Sequence, residues 1–277
     1  MPHALRIHLF LLFFTLCTLP AQAQGYGAPA GARAAGMGGA AVTLSDVWAL
    51  GNNTAGMAAL KTPEVGAFAY NKFAIAELST VGLLAVVPTA KYGTWGLDLQ
   101  RFGGDLYNEQ RLGVGLAHQL GVVRLGLKAD VLQVRVKEWG SRKSVAFSLG
   151  GQSEVVPGLV FGAHIFNLNQ AKLAEFEDER VPTVMTIGLS YQAAAKVLVV
   201  VEAEKELEFP AAVKAGVEYR LLPALGLRTG FHSGTRSGTA GVDVVFKQFQ
   251  VAYAVGAQNQ LGVSNYLSVG YKWEKKP

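Results

Sequence analysis

Charged side chains that recur at every second position among apolar ones are the groups from which this chain could build chemistry. They are Asp98; Arg124, Lys128 and Asp130; Glu202 and Glu204; Lys214, Glu218 and Arg220; Arg228; and Asp243. On the same stretches the alternate positions are apolar: Leu97 and Leu99, Leu125 and Leu127, Val199 and Val201, Val213 and Val217, Leu227 and Phe231, Val242 and Val244. A two-residue period is that of a β-strand, so each stretch has one apolar face and one face carrying acids and bases. Such a face could form a polar conduit or a site for a charged group. It could equally fill and stiffen an interior with cross-strand ion pairs, each screened and weak if the interior is wet. Covalent catalysis has little to work with. His118, His164 and His232 fall on separate stretches with no nucleophile motif beside them. The carboxylates Glu175, Glu177, Asp178 and Glu179 lack the spacing of a calcium loop and read as a solvated connection within Asn169 to Val181. The expectation is a non-enzymatic protein that needs no metal and no cofactor.

These faces must be positioned by strands, and alternation broken by Gly, Pro, Asn, Asp or Ser marks about fourteen of them. They run over 64–73, 79–88, 92–102, 107–119, 121–136, 142–152, 157–168, 182–193, 196–206, 211–222, 224–234, 238–247, 249–258 and 261–273. Outside the N-terminus no apolar run approaches the roughly 18 to 20 residues of a membrane-spanning helix. A chain can still cross lipid as a closed barrel, in which every backbone group is paired and only alternate residues need be apolar. The 33 glycines and the charged fraction of 16% suit that architecture. An Arg or Lys facing lipid near the midplane costs about 2 to 4 kcal/mol, so the charged faces must point into the lumen. A soluble β-sandwich, the structural rival, would place them outward. The net charge of +5 is spread without a Lys or Arg cluster and gives no case for nucleic acid. Tyr70, Tyr92, Trp95, Tyr107, Trp139, Tyr191, Tyr219, Tyr253, Tyr271 and Trp273 fall mostly near strand ends, where the water–lipid boundary favours aromatic rings. The last strand, Tyr266 to Trp273, has an alternating aromatic ending followed by a tail, Glu274 to Pro277.

The N-terminus reads as an export signal: His3, Arg6 and His8, an apolar run from Leu9 to Leu19, and a small-residue exit at Ala21-Gln22-Ala23. The only cysteine, Cys17, lies within it, so the mature chain is expected to have no thiol chemistry. Then comes a Gly- and Ala-rich block, whose glycines permit tight turns and close backbone approach. Ser45 and Asp46 are placed to cap a short helical turn ending near Leu50. The segments expected are a signal peptide over 1–23, an N-terminal hatch over 24–62 and a β-barrel over 63–277.

Within that block Gly31, Ala32, Arg33, Ala34, Gly36, Met37, Gly38, Gly39, Ala40, Ser45, Asp46, Asn53, Ala55, Gly56 and Met57 carry a resemblance. They resemble the N-terminal signature of the PorV/PorQ-like outer-membrane β-barrels of the FadL-like superfamily. Thr54 stands where that signature has proline, and Val47 where it has a second acid. The resemblance implies a fourteen-strand, up-and-down transmembrane β-barrel in a Gram-negative outer membrane, with the block folded in the lumen as a hatch. Its motif positions would be Gly31, Arg33, Gly36, Met37, Gly38, Gly39, Asp46, Asn53 and Gly56. It implies first an accessory barrel, of a class linked to type IX secretion and surface attachment in Bacteroidetes. Such a barrel would bind another outer-membrane or secreted protein while embedded in outer-membrane lipids. The alternative is a FadL-like transporter of hydrophobic small molecules, and the third possibility is an enzyme in barrel form. The ligand itself is not legible.

Overall fold

A computed structural model describes residues 28–173, 180–258 and 261–274 of the 277. The expected signal peptide with Cys17, residues 24–27, the carboxylates of Glu175, Glu177, Asp178 and Glu179, and the tail residues 275–277 lie outside the described residues.

The chain forms a closed antiparallel barrel of fourteen strands, in which each strand pairs with its sequence neighbours and the first pairs with the last. The strands are β1 (Glu64–Asn71), β2 (Ser79–Thr89), β3 (Gly93–Gly103), β4 (Tyr107–Leu120), β5 (Val123–Val136), β6 (Gly140–Val156) and β7 (Leu159–Phe166). They continue as β8 (Val184–Ala194), β9 (Val197–Glu206), β10 (Ala212–Leu222), β11 (Leu225–His232), β12 (Ser237–Phe246), β13 (Phe249–Gln258) and β14 (Gly262–Lys272). Number and order match the alternation, and the ends shift. β6 extends beyond the expected 142–152 because Val123 to Val136 of β5 pairs with it from Ser153 back to Gly140, and β7 pairs with its end at Glu154 and Val156. β7 is shorter than expected, because Asn167 leaves the ladder to donate to the Val181 carbonyl at 2.7 Å.

The alternation is realised physically. Leu97, Leu99, Leu125, Leu127, Val201, Val213, Leu227 and Val244 are exposed on the outside, while Asp98, Lys128, Asp130, Glu202, Lys214, Glu218, Arg228 and Asp243 are buried inside. A continuous apolar exterior around a closed ladder is a lipid-facing surface. Connections at one end, 121–122, 157–158, 195–196, 223–224 and 247–248, have two residues, and 90–92 has three. At the other end 72–78, 167–183, 207–211 and 233–236 are longer, the pattern that marks the extracellular side of such barrels.

Residues 28–62 fold against the inward faces of the strands. They contain α1 (Ala32–Gly36), α2 (Ala49–Asn52) and a 3-10 turn over Thr54–Ala59. α1 packs on β11 to β14, and α2 and the turn pack on β2 to β6. Trp48, Leu50, Met57 and Leu60 form a buried cluster with Phe68, Leu84, Val86 and Ala117. In it Trp48 meets Phe68 edge to face, with ring centroids 6.0 Å apart. The Asp46 carboxylate accepts from the Trp48 N–H at 3.0 Å in the turn before α2, but it does not cap the helix as expected: Trp48 occupies the N-cap without a side-chain cap, and α2 runs on to Asn52 instead of ending near Leu50.

Two expectations need correction. Tyr70, expected at the boundary, is paired instead with Tyr266. They face inward across the β1–β14 seam and stack at 4.3 Å with ring planes 5° apart, because each shares the parity of its strand's buried residues, Phe68 and Ser268. The connection after β7 is not wholly a solvated loop either. Ala171 and Val181 at its two ends are buried against Leu132 and Ala146.

Candidate functional site

The sequence-derived residues gather in the lumen as three clusters. In the first, Arg33 of α1 makes a two-pronged contact with Glu218 of β10, Nε donating at 2.9 Å and Nη2 at 3.1 Å, while Nη1 donates to Asp46 at 3.0 Å. Arg228 of β11 donates to Glu218 at 2.6 Å and also to Asp243 of β12. Arg220 donates to Asp243 at 2.8 Å and lies 3.4 Å from Glu218, and Gln250 donates to Asp243 at 2.8 Å. Three guanidinium groups thus face three carboxylates. Burial opposes the charge of Arg33, but Glu218 and Asp46 outweigh it and hold its pKa above the ordinary arginine value.

In the second cluster Lys214 of β10 bridges Glu202 and Glu204 of β9. The other oxygen of Glu202 accepts from the N–H groups of Ala41 and Val42, both at 2.8 Å. One carboxylate therefore neutralises a wall lysine and holds two backbone donors of the inner segment. In the third, Lys128 of β5 lies 2.6 Å from Asp98 of β3 and 2.9 Å from Asp130, and Gln100 donates to both oxygens of Asp98 at 3.0 Å. Asp130 sits at ion-pair distance yet accepts no well-aligned side-chain hydrogen bond. Arg124 joins none of the three. It donates to Ser45 and Gln152, each at 3.3 Å.

The lumen is therefore drier than the alternation alone implied. Asp98 and Asp243 are fully or almost fully buried, so their pairs are not the screened, weak kind expected of a wet channel. The cause is residues 28–62, which fill the middle of the barrel.

The motif residues explain that fit. Where the backbone at Met37 and Gly38 crosses the wall, a Cβ on Gly230 would stand 2.2 Å from the Met37 carbonyl carbon. Gly38, at φ +70°, would put one 2.5 Å from the Phe231 oxygen. Only glycine at both positions permits that approach. The Gly38 N–H donates to Thr239 at 2.9 Å, and the same hydroxyl donates to the Gly36 carbonyl at 3.0 Å. Asn53, fully buried, donates to the Val42 carbonyl at 2.7 Å and accepts from the Ala55 N–H at 3.2 Å. Gly31, Gly39 and Gly56 line tight turns of the same segment, with Gly56 packed under the Leu44 carbonyl. Sequence reasoning missed Gln152 of β6, which donates to the carbonyls of Val42 and Leu44 at 3.0 and 3.1 Å. Its inward parity between Gly150 and Glu154 was the available signal.

Above this floor, at the long-loop end, lies a cavity of about 150 Å³. Pro29, Gly39, Val42 and Asn52 form its base. Phe102, Leu132, Phe166 and Val184 supply apolar wall, while Gln100, Arg111, His164 and Thr186, together with Glu109 and the Glu202–Lys214–Glu204 cluster, supply polar and charged wall. Arg111 lies over the Phe166 ring, 5.1 Å from its centroid. Among the described residues no three His, Cys, Asp or Glu side chains converge as a metal site.

No protein-family profile matches the chain, and no curated protein matches it. Solved structures do match. The toluene transporter TbuX of Ralstonia pickettii aligns with TM-score 0.68 at 13% identity, over 88% of this chain and 98% of that one. A deltaS2 mutant of the monoaromatic hydrocarbon channel TodX aligns with TM-score 0.74 at 12% identity, over 92% and 100%. The monoaromatic hydrocarbon channel CymD aligns with TM-score 0.67 at 11% identity, over 90% and 99%. At such identities the likeness is one of fold: this chain is a transmembrane barrel built on the same fourteen-strand plan.

Proposed function

We propose that the protein is an outer-membrane channel of FadL-like type, admitting small, largely apolar molecules at the long-loop end. Residues 28–62 would serve as the hatch beneath their binding place. The observation that carries this reading is the cavity of about 150 Å³ resting on the inner segment. In size, a cavity of about that volume accommodates a benzene ring. Phe102, Leu132 and Phe166 offer such a ring apolar contact, while Gln100 and Thr186 leave room for a polar substituent. The solved neighbours described as toluene transporters and hydrocarbon channels support it. They lend nothing to the accessory role in secretion implied by the PorV/PorQ-like motif, so transport now ranks first. Passage requires the segment to shift, because Glu202, Gln152 and Asn53 hold the backbone at Ala41, Val42 and Leu44.

A reversible lock tests this. A Cβ at Gly36 would stand 3.5 Å from that of Ala254 on β13, within disulfide reach. Cells producing Gly36→Cys/Ala254→Cys should take up radiolabelled toluene at the background rate when oxidised and at the wild-type rate after reduction. Equal uptake in both states would remove the hatch from the mechanism.

A further inference from the structure

By alternation, every carboxylate on the fourteen strands occupies an inward position, Asp98, Asp130, Glu202, Glu218 and Asp243 among them. The outward positions carry four cations, Arg101, Arg135, Lys143 and Lys205, and all four lie toward the long-loop end of their strands. Three of them concentrate on β3, β5 and β6. Arg101 pairs in register with Gln110, Gln110 with Gln133, and Gln133 with Lys143, so two cations and two amides form one outward row across β3 to β6. With strands about 4.8 Å apart, its ends are about 14 Å from each other. One phosphate cannot span that distance, whereas a headgroup with two anionic ends can. No carboxylate among the described residues lies within ion-pair distance of Arg101, Arg135 or Lys143.

Directly below the row on each strand the outward residue is apolar: Leu99, Leu112, Val131 and Val145. The row, with Leu99, Leu112 and Val131 below it and Val81 and Leu83 of β2 beside it, lines an open groove of about 780 Å³. A groove with cations at its mouth and aliphatic side chains along its floor is complementary to an amphiphile with a negative head. Unpaired cations near an anionic leaflet are attracted to it, while outward carboxylates would be repelled, and the strands carry none. We propose that this face binds a phosphorylated glycolipid of the outer leaflet, its phosphates on Arg101 and Lys143 and its acyl chains in the groove. The cation of Lys205 is placed elsewhere, on β9, where it donates to the Phe209 carbonyl. It belongs to no such groove.

The test is lipid retention by the full-length protein, measured by native mass spectrometry after titration with bisphosphorylated lipid A or with phosphatidylglycerol. Wild-type protein should retain lipid A at least tenfold better than phosphatidylglycerol. Each cation is about a fivefold effect, so Arg101→Gln/Lys143→Gln should retain lipid A about thirtyfold less well, and Lys205→Gln should match wild type. Heat-modifiable migration checks that each variant is folded, and the single substitutions serve if the double variant assembles poorly. Retention unchanged in the double variant, an equal loss in Lys205→Gln, or no preference over phosphatidylglycerol would each overturn the proposal.

Discussion

Replacing Glu218 by glutamine should release the inner segment from the wall while leaving the barrel intact. Glu218 accepts from Arg33 at 2.9 and 3.1 Å and from Arg228 at 2.6 Å, with Arg220 at 3.4 Å. Glutamine keeps the shape but takes the cluster from three charges of each sign to an excess of one positive charge. The Arg228 side chain is fully buried and its Nη1 already lacks a partner, so neither solvent nor a spare acceptor relieves that excess. Removing one partner of a buried pair typically costs about 3 to 5 kcal/mol. That is about two to three and a half orders of magnitude in the equilibrium for undocking α1. Hydrogen exchange in bilayers reads it directly: amides of Ala32 to Gly36 should lose protection by about that factor while β3 to β6 keep theirs. Glu64→Gln is the control, since its partner Lys272 is 63% exposed and the pair is worth about 1 kcal/mol or less. Protection of α1 within tenfold of wild type would refute the idea that this cluster holds the segment in place.

Gly230→Val should have a related effect by steric means. Its Cβ would fall 2.2 Å from the Met37 backbone, so trypsin should cut after Arg33 in the folded variant and not in wild type. Leu127→Arg probes the other face. Leu127 is 61% exposed midway along the apolar run of β5, and arginine there should destabilise the barrel by about 2 to 4 kcal/mol in urea titrations from vesicles. A change under about 0.5 kcal/mol would place that face away from the hydrocarbon.

The strands were legible because lipid imposes a rule that residues obey one by one: in the middle of a strand the outward position must be apolar, and Leu97, Leu127 or Val213 says so without knowledge of its neighbours. The state of the lumen was not legible in the same way. Whether Asp98 and Lys128 face water or each other depends on what lies between them, and that is a segment remote in sequence. Inward glycines such as Gly230 read as permissive backbone; their meaning, a place where another chain segment touches, appears only when Met37 is seen against them. Arg101 was visible as a break in the apolar parity of its strand. Its link to Lys143 needs the register of three successive pairs. The motif block was legible as a unit, whereas Gln152, which holds it, carries no local signal beyond parity.

The reach of the inner segment also sets an order of events. The N–H of Ala32 donates to the hydroxyl of Ser268, 236 residues later, while Val42 and Leu44 are held by Gln152. Ala32 is synthesised long before its partner on the last strand exists. That hydrogen bond waits for β14, and so does closure of the barrel, because β14 is also the strand that pairs with β1. Contacts of such long sequence separation form late and slowly. The last strand therefore completes two things at once, the wall of the barrel and the anchorage of α1 within it.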